Sequence, residues 1–153
     1  MQEVSNVPFE LTDVEYARLM ALQKEFISVP QLPMEFQKRS YAVRSLDKKE
    51  NFLLTTERKI VFELSKSKLN QTYAREPIFR VEFNGPPHQN PDGTIISRSH
   101  VHIYRAGYGM SWAYPLDTFD PALFKQPNNY NILFEDFCSY CNITNLESIQ
   151  GVI

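Results

Sequence analysis

Two cysteines in 153 residues, Cys138 and Cys141, are too few for a disulfide framework. No apolar run approaches the roughly 20 residues that a membrane span needs. The start of the chain, MQEVSNVPFELTDVEY, has neither the basic opening nor the apolar stretch of a secretory signal. The expected setting is therefore cytoplasmic, with no membrane partner. Neither sign of charge dominates, with 16 basic against 18 acidic residues and a formal net charge of −2. That balance argues against non-specific coating of nucleic acid and leaves room only for a local basic site. Glycine is scarce at five residues. The chain has no phosphate-cradling glycine loop and no nucleophile elbow.

Aromatics, by contrast, reach 13%, enough for an aromatic core or for stacking surfaces. The length fits one domain spanning 1–153, large enough to bury a core without staples, with residues 1–10 as an arm. Thr12 and Glu15 have capping-box spacing, with Leu11 and Tyr16 placed as a hydrophobic staple. Tyr16, Leu19, Met20, Phe26 and Ile27 continue at helical spacing, and Pro30 and Pro33 stop the helix. Strand patterns follow at Tyr41–Arg44, Phe52–Thr56, Lys59–Leu64 and Ile78–Phe83, with Asp47–Asn51 as a charged turn. Residues 65–72 read as a continuation of the third strand or a loop, with Lys66 and Lys68 on a solvated edge. Asn84–Gly93, NGPPHQNPDG, is the densest turn signal and reads as a surface loop. A last helix, Tyr130–Asn142, is capped by Asn128 or Asn129, and its late C-x-x-C reads as buried core thiols. The order predicts an α+β fold: an antiparallel sheet of five to six strands with an N-terminal and a C-terminal helix on one face.

The chemistry concentrates in Ser97–Leu116, SRSHVHIYRAGYGMSWAYPL. Strand alternation puts His100, His102 and Tyr104 on one face and Val101 and Ile103 on the other. His100 and His102 have the pKa range for proton transfer, and Arg105, Arg80 and Arg75 can hold phosphate. Tyr108, Trp112 and Tyr114 can stack an unpaired base. These are the parts of a metal-independent RNA cleavage needing no cofactor: base, acid and a cation for the phosphorane charge. Tyr104 and Arg105 join the two histidines as the catalytic set, and Arg80, His88, Tyr108, Trp112 and Tyr114 bind substrate. A metal-dependent hydrolase is the competing chemistry. H-x-H would then be completed by His88 from the proline-rich loop, with Asp92 or Asp117 as a fourth ligand.

The segment from Phe79 to Leu116 resembles a small family of uncharacterised bacterial and prophage proteins. The matching residues are Gly85-Pro86-Pro87-His88, Asn90-Pro91-Asp92-Gly93, His100, His102-Ile103-Tyr104 and Trp112-Ala113-Tyr114-Pro115-Leu116. The resemblance implies a bacterial or mobile-element setting and marks this segment as the functional surface. It assigns no role to any residue. In that setting the leading expectation is a toxin-like endoribonuclease acting on RNA, with a cognate antitoxin as partner. The alternative is a non-enzymatic prophage inhibitor that binds a protein of a nucleic-acid-handling complex, an anti-defence role.

Overall fold

The computed structural model describes residues 10–32 and 37–146. Most of the expected arm, Pro33 and the last seven residues lie outside that range. The elements run α1 (Asp13–Ala21), β1 (Lys24–Phe26), β2 (Arg39–Ser45), β3 (Asn51–Val61), β4 (Leu64–Tyr73), β5 (Glu76–Phe83), β6 (His88–Gln89), β7 (Ile95–Ile96), β8 (His100–Ile103), β9 (Ala113–Pro115), α2 (Leu116–Phe119) and α3 (Tyr130–Tyr140). Seven strands form one antiparallel sheet in the order β1-β2-β3-β4-β5-β8-β9, and β6 pairs with β7 as a separate small hairpin. The fold is α+β, as the sequence predicts. The sheet has more strands than expected, because two stretches read otherwise also pair.

The first stretch is the second half of the expected N-terminal helix. The capping box forms as predicted, with Thr12 Oγ1 accepting from the Glu15 N–H and the Glu15 carboxylate accepting from the Thr12 N–H. The helix nevertheless ends at Ala21, not near Ile27, and Lys24–Phe26 becomes an edge strand. Tertiary partners override the local periodicity. Lys24 N–H donates to Asn142 O at 2.8 Å, and Thr144 N–H donates to Lys24 O at 2.8 Å. The Lys24 ammonium, fully buried, donates to the carbonyls of Met20, Leu22 and Cys141 at 3.2, 2.9 and 2.8 Å. A cation is favoured there by the carbonyl ends of α1 and α3.

The second stretch is the expected strand Lys59–Leu64. The chain turns back on itself at Phe62 and Glu63, so β3 and β4 form a long hairpin in which Lys59 faces Lys66 and Val61 faces Leu64. Both turn residues have positive φ, +51° and +64°, as do Ala74 and Arg75 between β4 and β5, +51° and +69°. Two-residue hairpin turns require that conformation at both central positions. Here they are made without glycine or asparagine, which is why the sequence does not announce them.

One face of the sheet carries the core. Cross-strand partners Val43 and Phe52, Leu69 and Val81, and Val81 and Val101 line it, and all are buried. Both longer helices lie on this face. Tyr16 of α1 packs 6.1 Å from the Tyr104 ring. In α3, Phe134 stacks on Phe26 at 6.1 Å and Phe137 lies 5.3 Å from Phe79. Asn129 Oδ1 caps α3 by accepting from the Ile132 N–H. Phe79, with Tyr140 stacked at 4.6 Å on its other side, anchors the cluster, and its truncation to Ala would cost about 3–5 kcal/mol. Cys138 and Cys141 are unbridged thiols within this core, and burial pushes the Cys141 thiol up to about 12. No helix among the described residues is long and apolar enough to cross a membrane.

Candidate functional site

The other face of the sheet presents the polar residues of β4, β5 and β8. On β5, Arg80 stands opposite His102 of β8 and Glu82 stands opposite His100. Alternation therefore delivers four ionisable side chains to one patch. The connection between these two strands, residues 84–99, folds back as a roof. It lies at the surface, as its proline and glycine content predicts, and also pairs back on itself. His88 pairs with Ile96 and Gln89 with Ile95. The buried Asn90 side chain then clamps the roof to β9, donating to Ala113 O at 3.0 Å and accepting from Ala113 N–H at 2.8 Å. Beneath the roof lies a cavity of about 420 Å³ lined by Arg80, Glu82, His88, His100 and His102 among others.

The histidines are held in one tautomer. His100 Nδ1 lies 2.7 Å from Ser97 O, and His102 Nδ1 lies 2.8 Å from Met110 O. A carbonyl only accepts, so both Nδ1 atoms carry a proton, and Nε2 is the nitrogen that each ring turns toward the cluster. Both Nε2 atoms point at the same carboxylate oxygen, Glu82 Oε2, at 3.9 Å from His100 and 3.5 Å from His102. The three ligand atoms all lie within 4.8 Å of one another. Burial pushes the His100 imidazole below its ordinary pKa, which keeps that ring neutral. A hydrogen bond from His102, which needs a proton on Nε2 as well as on Nδ1, holds the Glu82 carboxyl below the usual range against the opposing effect of burial, and a bound metal ion would take the place of that Nε2 proton.

Two Nε2 atoms this close to a carboxylate oxygen call for a cation between them, a proton or a metal ion. Tetrahedral bonds of about 2.0–2.2 Å set ligand atoms roughly 3.4 Å apart. The observed 3.5 and 3.9 Å are close to that value, and the group as a whole, spread within 4.8 Å, closes around an ion by contracting further. Imidazoles whose Nδ1–H is anchored on a carbonyl are pre-oriented in the way metal ligands commonly are. Gly85 lets the roof close over the carboxylate: a Cβ there would stand 2.6 Å from Glu82 Oε1. Two nitrogens and one oxygen suit zinc or manganese and leave coordination positions open toward the cavity.

The structure rearranges the sequence-derived set. His100, His102, Arg80 and His88 come together. Arg80 Nε donates to Asn70 Oδ1 at 3.3 Å, leaving the rest of its fork for a ligand. His88 sits over the pair, 4.7 Å from the His102 ring centroid. Its Nε2 lies 2.6 Å from Ser111 O, and the third atom of the cluster comes from Glu82 in place of His88.

Tyr104 does not share the working face. Its ring is in the core, and its hydroxyl bridges the Leu11 backbone, accepting from N–H at 3.0 Å and donating to O at 2.9 Å. The strand ends at Ile103, so alternation cannot be extended through Tyr104. Trp112 and Tyr114 flank Ala113, which stands opposite His102, so they project to the other side of the sheet. There Arg105 lies 4.4 Å over the Trp112 ring and donates to Tyr114 Oη at 2.7 Å. Tyr108 packs against Trp112 at 5.9 Å. Arg105 and this aromatic group thus satisfy one another away from the cavity. Arg75 sits in the β4–β5 turn, and Asp92 folds onto its own loop, accepting from Thr94 N–H. Asp117 lies in α2, and none of these three lines the cavity. Glu82 is the residue that sequence reasoning passed over. Its signal was alternation with Arg80 on β5, but only the β5–β8 register brings it to the histidines.

The family model described as a family of unknown function (DUF6978) matches residues 11–143, and the chain belongs to that family. No curated protein and no solved structure matches.

Proposed function

We propose that this DUF6978 protein is a divalent-metal-dependent hydrolase acting on a phosphate ester, with Glu82, His100 and His102 as the metal ligands. The reading is carried by the convergence of two anchored imidazole Nε2 atoms on one carboxylate oxygen, at 3.9 and 3.5 Å, inside a cavity. A bound zinc or manganese ion would polarise a phosphoryl oxygen and acidify a water. Arg80, facing the same cavity, holds the substrate's anionic oxygens through its remaining donors. His88 donates its Nε2 proton to Ser111 O, which leaves Nδ1 as its accepting nitrogen, the form a general base needs.

The arrangement favours this chemistry over metal-free RNA cleavage by the same histidines. In-line displacement wants a base and an acid on opposite sides of the phosphorus. His100 and His102 stand side by side with ring centroids 4.8 Å apart and both nitrogens on Glu82. They are also 1% and 4% exposed, which suits ligands better than groups that must reach a 2′-hydroxyl.

The test is metal analysis of protein purified without chelator, joined to hydrolysis of an activated phosphodiester and of RNA. About one zinc or manganese per chain is expected, lost in Glu82→Gln and in His102→Gln but kept in Tyr104→Phe. Hydrolysis should stop with chelator and return with metal. Protein that binds neither ion at saturating concentration, or cleavage that persists in chelator, refutes the proposal. Iron as the native ion, with no hydrolysis by the iron-loaded protein, would point to O2 chemistry and refute the hydrolase assignment.

A further inference from the structure

The long β3–β4 hairpin carries a feature that the metal site does not explain. Lys59 of β3 and Lys66 of β4 are direct cross-strand partners. Like charges placed opposite one another destabilise a hairpin, so the pair carries a local cost. Two residues further along β4 stands Lys68, which faces Glu57 on one side and Glu82 on the other. Glu57 shares this face with Lys59 and stands diagonal to Lys66, so the row sets three ammonium groups against the carboxylates of Glu57 and Glu82 and keeps an excess of positive charge. Direct pairing puts Lys59, Lys66, Lys68 and Glu82 on the same face of the sheet. A second cavity of about 350 Å³ runs along them, lined by Glu57, Lys59, Lys66, Lys68, Glu82 and Pro86 among others. It shares Glu82 and Pro86 with the cavity that holds the histidines.

We infer that this row is the track for a single-stranded nucleic acid, whose phosphates lie on Lys59, Lys66 and Lys68 and whose next phosphate enters the Glu82–His100–His102 site beside Arg80. The inference rests on the metal-site reading and names its substrate class. Strand spacing of about 4.8 Å and a rise of about 3.3 Å per residue place Lys59 roughly 15 Å from His100. That is the span of a few linked phosphates, not of a small ester. A local excess of lysines is compatible with a net charge of −2, because the phosphates in contact respond to the charges at the row. A single strand can thread beneath the 84–99 roof, whereas a duplex or a lipid surface cannot reach the recessed carboxylate.

The experiment is anisotropy titration of short unstructured RNA and DNA oligonucleotides, with duplex of the same sequence and anionic phosphatidylserine vesicles as further arms. Wild type should bind at least one single strand, with log affinity falling against log salt at a slope of about −2 for three lysine contacts. The RNA and DNA arms identify which backbone is the substrate. Lys59→Glu/Lys66→Glu should weaken binding at least tenfold and flatten the slope by about 1.4, while zinc or manganese content stays at the wild-type level. Metal bound normally by a wild type that ignores both single strands refutes the track alone. So does tighter binding to duplex or vesicles, or a double variant that binds as wild type. Normal oligonucleotide binding by a chain that takes up no metal refutes the hydrolase reading and leaves the track as a binding surface.

Discussion

Replacing Lys24 by Met removes one ammonium from the most enclosed position in the fold. The side chain is fully buried, and its three protons are matched by three carbonyls at 2.8–3.2 Å. The Phe52 ring centroid lies 5.1 Å from Nζ. Two acceptors, Met20 O and Leu22 O, belong to the end of α1, and the third, Cys141 O, belongs to the end of α3. One cation therefore fastens two helix ends to edge strand β1. Hydrogen bonds to a charged group are worth about 1.5–3 kcal/mol each, but the buried ammonium also carries a desolvation cost that its removal relieves. Met keeps the apolar stem and loses every donor, leaving three carbonyls unsatisfied at roughly 1 kcal/mol or more apiece. The expected net loss is about 3–5 kcal/mol, read as a lower urea midpoint with an unchanged slope.

The pH dependence of the same pair is a second reading of the argument. Burial pushes the Lys24 pKa down from 10.5 to about 8. The unfolded chain then holds the proton more tightly than the folded one between those values, so this residue makes stability rise with pH across that window. The difference between wild type and Lys24→Met should widen in favour of wild type from pH 8 to 9.5. A loss under 1 kcal/mol would show that the Lys24 side chain does not hold these helix ends, and a difference that narrows over that range would show that the carbonyls outweigh desolvation and raise the Lys24 pKa instead of lowering it.

Three further substitutions separate scaffold from site. Tyr104→Phe removes both bonds to the Leu11 backbone and should cost about 1–2 kcal/mol in chemical unfolding; a loss of metal binding in the folded variant would return Tyr104 to the site. Asn90→Ala unclamps the roof from Ala113, with an expected loss of about 2–3 kcal/mol. It should also speed hydrogen exchange across residues 84–99, and unchanged exchange there would contradict the clamp. Phe62→Asn with Glu63→Gly relieves two side chains of left-handed backbone and should stabilise the fold by about 1–2 kcal/mol. A lower melting temperature for that variant would mean that the exposed Phe62 ring is held by contacts absent from this account.

Local chemistry was legible wherever one stretch of chain could decide its own state. Thr12 and Glu15 close a cap within four residues, Asn129 reaches the N–H of Ile132 within its own turn, and His100 and His102 share a face because strands have period two. The alternation at Phe79–Phe83 likewise put Arg80 and Glu82 together. What failed were readings that depended on partners far along the chain. Lys24–Phe26 follows the helical period, yet the carbonyls and N–H groups of 142–144 make it a strand. Phe62 and Glu63 carry no turn signal, because with so few glycines the fold bends at ordinary residues and accepts the strain.

The candidate site divides the same way. By itself the sequence determined the α+β class, both helix caps, the outward pair His100 and His102, and the closeness of the 84–99 segment to them. Register decided the rest. Only the antiparallel match of β5 with β8 sets Glu82 against His100. Only the β8–β9 match turns Trp112 and Tyr114 away, and only the bonds at Ser97 and Met110 fix the histidine tautomer. Periodicity says which face a side chain takes, but which residue stands beside it depends on hydrogen bonds between strands distant in sequence.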